Sequence, residues 1–156
     1  MVEFLAAVEA GWIAESLRFG RWNYAAVNAL HILGIAILVG ASLPLAFRMI
    51  GYKHDIPMFL AAGFLVPFAM GGLVLAVMMG SLLFATRAVE YGGLIIFWIK
   101  LAFVALGVAS AAVAHIRYGW RLEAADQKVL RFHGMLSLIA WTAALVLGRA
   151  IAFVDE

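Results

Sequence analysis

Three histidines lie in long uncharged stretches of this 156-residue chain, and they are its best candidates for chemistry. His31 stands within the uncharged run from Trp22 to Phe47, while His115 and His133 lie in two later apolar stretches. An ionisable side chain at membrane depth is costly, so each of these positions predicts a functional site. Because imidazole nitrogens bind transition metals and haem iron, the residue type predicts a metal or haem site.

The composition requires a membrane around these histidines. The chain is 67% hydrophobic and only 13% charged, whereas soluble domains are about a quarter charged. The absence of cysteine excludes disulfides, thiolate metal sites and c-type haem attachment. A net charge of +2 with scattered basic residues does not favour nucleic acid as a partner.

Hydropathy predicts an all-α fold, an integral membrane four-helix antiparallel bundle that forms a single transmembrane domain over residues 1–156. A membrane-spanning helix needs about 20 mainly apolar residues. A shorter amphipathic helix at about 2–17 contains three glutamates and is expected to lie in the membrane interface. The predicted spans are about 22–49, 57–86, 93–117 and 130–153.

The distribution of lysine and arginine predicts the orientation of the bundle. One set of loops collects Arg48, Lys53, Arg117, Arg121, Lys128 and Arg131, against Arg18, Arg21, Arg87 and Arg149 at the other end. Basic residues are enriched in cytoplasmic loops. We therefore expect a multi-pass protein of the bacterial inner membrane with both termini in the periplasm.

Helical periodicity predicts that three of the spans direct polar side chains toward the interior of the bundle, since lipid would not tolerate such stripes. These residues recur at intervals that place them on one face of each helix. The sets are Tyr24, Asn28, His31 and Ser42 in the first span, Lys100, Gly107 and Ala111 in the third, and His133, Ser137 and Trp141 in the fourth.

Depth along the helices predicts which histidines can meet. His115 and His133 lie near the same, cytoplasmic, ends of neighbouring spans. His31 is expected on the order of 15–20 Å from them, from a rise of about 1.5 Å per residue. His54 lies in the cytoplasmic loop near the pair and is a candidate third ligand.

Two imidazoles that face each other across apolar walls are what a b-type haem requires. His115 and His133 form the better-matched pair, with His31 as a ligand or polar site nearer the outer face. Gly34 and Gly134 stand beside His31 and His133, and small residues there are expected to leave room for a macrocycle. The sequence therefore predicts a haem b protein that exchanges electrons between the quinone pool and a redox partner.

Cations near the histidines would serve the haem propionates. Arg117 stands at the cytoplasmic end, beside the pair, while Lys100 and Arg149 are the basic residues near the level of His31. Lys100 could instead extend to the outer headgroups, and Arg149 could anchor the end of its helix.

Three other interpretations remain open. The histidines could be structural, satisfied by water, headgroups or nearby hydrogen bonds. His54, His115 and His133 could hold copper or zinc, since imidazole suits both metals. The chain could also be a non-redox accessory or assembly subunit of a membrane complex. In that role the small residues Gly72, Ala76 and Gly80 would let a second copy or another protein approach closely.

Six short segments follow one another in a characteristic order along the chain. They are His31-Ile-Leu-Gly34 with Gly40, Phe47-Arg48-Met49-Ile50-Gly51, Gly80-Ser-Leu-Leu-Phe84, Phe97-Trp-Ile-Lys100, Ala114-His115, and Ser137-Leu-Ile-Ala-Trp141 with Gly148-Arg149. Together they resemble a widespread family of small four-helix bacterial membrane proteins of unknown function, and the resemblance spans about residues 22–153. In outline the chain is also similar to the small di-haem b-type cytochromes of the bacterial inner membrane, which implies inward histidines that ligate haem.

Overall fold

The computed structural model describes residues 2–154, which form seven α-helices and no strand. Four of these helices are long and apolar enough to cross a membrane, which indicates a multi-pass membrane protein. They correspond to the four predicted spans. The helices are α1 (Val2–Glu9), α2 (Trp12–Phe19), α3 (Arg21–Ile50), α4 (Met58–Thr86), α5 (Ala88–Gly93), α6 (Ile95–Tyr118) and α7 (Gln127–Val154).

Local chemistry fixes the ends of the long helices. At the end of α3, Gly51 adopts a φ of 113°, a left-handed conformation that glycine tolerates best. At the start of α7, the Asp126 carboxylate accepts a hydrogen bond from the backbone N–H of Val129 at 2.9 Å. This cap satisfies a free donor in the first turn, and it starts the helix three residues before the predicted boundary.

The single helix predicted at about 2–17 is wrong, because the chain breaks at Gly11 into α1 and α2. Gly11 has an extended backbone that cannot continue a helix. Leu5 and Leu17 are buried against the rest of the molecule, while Trp12 is 78% exposed. One side of each short helix therefore packs on the bundle and leaves large apolar side chains facing outward.

Glu9 connects α1 to α2 and to α5 at one end of the bundle. Its carboxylate lies 3.4 Å from the Arg18 guanidinium and accepts a hydrogen bond from the Val89 backbone N–H at 3.0 Å. Val89 belongs to α5, a short helix that the sequence reading did not anticipate. At the start of the same helix, a hydrogen bond from Arg87 to Glu90 raises the pKa of the guanidinium.

α3 is the central helix of the bundle. It packs against α4 on one side and α7 on the other, and α7 in turn packs against α6. In the described part of the chain the backbones of α4 and α6 do not approach closely. Side chains bridge them instead, as where Phe84 and Phe97 stack with ring centroids 5.1 Å apart. The four long helices are thus arranged in the order α4–α3–α7–α6, and consecutive helices in this order pack against each other.

Small residues allow α3 and α4 to touch through their backbones. A Cβ at Gly34 would lie 2.6 Å from the Ala76 backbone nitrogen, and one at Gly72 would lie 2.5 Å from the Leu38 nitrogen. Gly72 and Ala76 are buried in this contact. The ladder that the sequence offers to a second copy is therefore occupied by α3 of the same chain.

Leu122 closes the end of the bundle where α3 ends and α7 begins. It lies in the turn between α6 and α7 with a φ of 57°, which is unusual for a residue with a Cβ. Its side chain is only 2% exposed and is the largest that is fully buried. It joins a cluster of buried apolar residues that includes Leu45, Met49 and Ala114.

We predict that Gly72→Ala lowers the free energy of unfolding by about 1–3 kcal/mol, because the added methyl would press on the α3 backbone. Gly71→Ala is the matched control, since no atom lies within 4 Å of a Cβ at that position. The control is expected to be neutral or to gain up to about 1 kcal/mol from helix propensity. Thermal unfolding in detergent, followed by circular dichroism, measures both; equal effects would contradict the close contact.

Candidate functional site

A small cavity of about 70 Å³ lies between α3, α6 and α7, near the Leu122 end of the bundle. Both predicted partner histidines line it, from α6 and α7 respectively. Of the described residues around it, none is acidic. Those residues are Ser42, Leu45, Ala46, Met49, Gly107, Ser110, Ala111, Ala114, His115, Leu122, His133, Ser137 and Trp141.

His133 is oriented by a hydrogen bond across the cavity wall. Its Nδ1 lies 2.8 Å from the Ser110 hydroxyl oxygen. Ser110 is buried on α6, so the bond also joins α6 to α7. Because Nδ1 is engaged, Nε2 is the nitrogen of His133 that remains for a ligand, and outer partners of this kind orient metal-binding histidines.

His115 carries an unsatisfied polar atom. Its Nδ1 is buried and is the one such side-chain atom among the described residues without a hydrogen-bond partner. Trp120 lies beside the ring, with centroids 5.7 Å apart. Since most buried polar atoms in proteins are paired, this imidazole nitrogen is available to bind a water, an ion or a ligand.

Met49 of α3 also lines this cavity and contacts α7 through its backbone and its Cβ. Its backbone carbonyl accepts a hydrogen bond from Gln127 Nε2 at 2.9 Å. A Cβ at Gly134 would lie 2.9 Å from the Met49 Cβ, so the two helices touch beside His133. Only 6% of Met49 is exposed. The sequence reading missed this residue because methionine is common in apolar helices as a gap-filler.

The inward face predicted for α7 agrees with the structure, and the one predicted for α6 does so except at Lys100, which does not line the cavity. Gly107 and Ala111 line the cavity from α6, and Ser137 and Trp141 line it with His133 from α7. The Trp141 indole packs against Gly107, where an added Cβ would lie 3.0 Å from two of its ring carbons. Helical phase therefore brings His115 and His133 to one place, as their matched depth predicts.

The predicted inward face of the first span is only partly right. Ser42 is buried and lines the cavity. Tyr24 is 39% exposed and Asn28 is also exposed. Neither side chain accompanies His31.

His31 lies apart from the cavity, against α4. Its Nδ1 is 2.8 Å from the Ala76 carbonyl oxygen, and because a carbonyl only accepts, Nδ1–H must donate. A Cβ at Gly80 would lie 2.8 Å from the His31 Cε1, so the ring fills the space that this glycine leaves. His31 thus has a structural partner, a backbone carbonyl of α4, in agreement with the structural interpretation of this histidine.

The proposed three-histidine site is wrong. In the part of the chain that the structure describes, no group of three or more His, Cys, Asp or Glu residues lies close enough to hold a metal ion. His54 is exposed in the loop after α3, where its backbone carbonyl accepts a hydrogen bond from Arg48 at 3.3 Å. It does not line the cavity.

The three candidate cations occupy different surroundings. The Lys100 ammonium lies 5.3 Å from the Phe97 ring centroid, and its stem passes beside Gly148 of α7. The Arg149 guanidinium lies 4.7 Å from the Phe153 ring at the end of α7. Arg117 is exposed near the cavity, where its charge acts on His133.

The His115–His133 cavity does not fit a haem. Pockets for ligands of drug size run to about 300–1,000 Å³, whereas this one offers about 70 Å³. The glycines expected to make room for the macrocycle are filled instead. Gly34 faces the Ala76 backbone, and Gly134 faces Met49, Ala46 and Ile50 of α3. The space suits a metal ion or a few water molecules.

No family model matches the chain, and no curated protein or solved structure matches it. The resemblance to small four-helix membrane proteins therefore stays a prediction.

We predict that Ser110→Ala destabilises the protein by about 1–3 kcal/mol, because it leaves the half-buried His133 Nδ1 without its partner. Ser81→Ala is the control, since the Ser81 hydroxyl bonds only to the Val77 carbonyl within α4 and is exposed. Thermal unfolding in detergent measures both variants. An unchanged melting temperature for Ser110→Ala would show that the serine does not hold the imidazole.

Proposed function

We propose that this chain is a membrane protein that holds a transition-metal ion inside its helical bundle, between His115 and His133. The observation that carries the proposal is the buried, unpartnered Nδ1 of His115 beside a cavity that His133 shares. A metal ion accepts the lone pair of that nitrogen and removes the cost of leaving it unsatisfied. Imidazole is a common ligand of copper and zinc.

The surroundings of His133 support the same function. The Ser110 hydroxyl engages Nδ1, and in the tautomer whose Nδ1–H donates to this hydroxyl the Nε2 lone pair can bind an ion. Such outer-shell bonds fix the ring and raise its basicity as a ligand. The cavity volume of about 70 Å³ admits an ion together with at most a few waters.

The orientation of the site follows from the basic loops. We propose that the protein lies in a bacterial inner membrane with both termini in the periplasm, as the lysine and arginine distribution predicts. The His115–His133 cavity then lies near the cytoplasmic face, whereas His31 lies nearer the periplasmic face. An ion at this depth would be exchanged with the cytoplasmic side.

We predict that the purified full-length protein binds about one transition-metal ion per chain, and that His115→Ala or His133→Ala abolishes this binding. His54→Ala and His31→Ala are matched controls, because both histidines lie outside the cavity. Elemental analysis after incubation with copper or zinc and desalting gives the stoichiometry.

The absorption spectrum of the same samples tests the haem alternative. A Soret band that depends on His115 and His133 would show that the helices separate to admit a haem, and it would overturn the metal-ion proposal. The accessory-subunit interpretation would be favoured if the protein is colourless and if neither the unsubstituted protein nor any of the four histidine variants binds metal.

We predict that Lys128→Cys is labelled from the cytoplasmic side and Ser16→Cys from the periplasmic side. The chain has no native cysteine, so a membrane-impermeant maleimide reports single positions. Both residues are exposed and lie at opposite ends of the bundle. In intact cells only Ser16→Cys should react. The reverse pattern would invert the proposed topology without affecting the cavity itself.

A further inference from the structure

We infer that the His115–His133 cavity takes monovalent copper and that Met49 supplies a third, sulfur ligand from α3. This inference rests on the proposed function and specifies its metal. Three features of the cavity support it: the absence of negative charge, the soft thioether of Met49, and the number of donor atoms available to a metal ion.

The charge of the cavity favours a monovalent ion. His115, His133 and Met49 are neutral as ligands, and no acidic residue of the described chain lines the cavity. Arg117 adds positive charge nearby that acts on His133. The Born cost of moving an ion from water into a low-dielectric interior rises with the square of its charge. A divalent ion without a carboxylate to balance it is therefore penalised far more than Cu(I).

The donor types favour copper among the monovalent ions. A thioether such as that of Met49 is a soft ligand that selects Cu(I), and imidazole also suits copper. Alkali cations take oxygen ligands, and among the described residues the side-chain oxygens on the cavity wall are all serine hydroxyls. One of these, on Ser110, is already bonded to His133.

The number of donors also fits. Structural zinc sites almost always have four protein ligands, whereas the cavity offers two imidazoles and one thioether. Cu(I) is stable with two or three ligands. The three donor residues come from α6, α7 and α3. The backbone and Cβ of Met49 are held by the hydrogen bond from Gln127 and the close contact with Gly134.

The test compares Cu(I) and Zn(II) binding by full-length protein in detergent under anaerobic conditions. A chromogenic Cu(I) chelator serves as the competitor. We expect Cu(I) to bind more tightly than Zn(II). Met49→Leu should weaken Cu(I) binding by at least the roughly tenfold that loss of an outer-shell partner costs. It should leave any Zn(II) binding unchanged. Met78→Leu, at an exposed position on α4, is the matched control.

The possible outcomes separate this inference from the proposed function. Tighter binding of Zn(II), or Cu(I) binding that Met49→Leu does not change, would overturn the Cu(I)–Met49 assignment while the histidine metal site stands. If neither metal binding depends on His115 and His133, the proposed function itself fails.

A second measurement needs no substitution, so it is independent of any folding defect in Met49→Leu. X-ray absorption at the copper edge of selenomethionine-labelled protein detects a selenium ligand directly. One selenium scatterer beside two imidazoles would support the assignment. A copper environment with nitrogen or oxygen ligands alone would contradict it.

Discussion

The fold depends on backbone contact between α3 and its two neighbours. In lipid, apolar side chains gain nothing by leaving their surroundings, so helices associate where small residues allow close packing. Gly34, Gly72 and Ala76 provide that contact between α3 and α4, and Gly134 provides it between α3 and α7. The Gly134 contact holds α3 close to α7, and the space left between these two helices and α6 is a small cavity rather than a large pocket.

The same glycines explain what the sequence could and could not predict. Hydropathy located the four long helices, and the 3.6-residue period placed His133, Ser137 and Trp141 on one inward face. Helix rise then matched the depths of His115 and His133. Periodicity does not reveal, however, whether a glycine makes room for a ligand or for another backbone. Gly134 suggested the first and does the second.

Other features were invisible for related reasons. The break at Gly11 and the short helix α5 depend on tertiary contacts, such as the hydrogen bond from Val89 to Glu9, which joins residues far apart in sequence. The place of Met49 on the cavity wall likewise requires knowing how α3 and α7 meet. His31 is the most conspicuous residue of the sequence because it places an ionisable ring within a long apolar stretch. In the structure its ring is hydrogen-bonded to the Ala76 carbonyl, so it has a structural role.

Leu122 separates the cavity from the turn between α6 and α7. Its side chain lines the cavity and fills the end of the bundle from a turn whose left-handed backbone is disfavoured by about 1–2 kcal/mol. Opening the turn would release that strain but expose a buried leucine. An approach to the cavity from this end of the bundle therefore requires the turn to move.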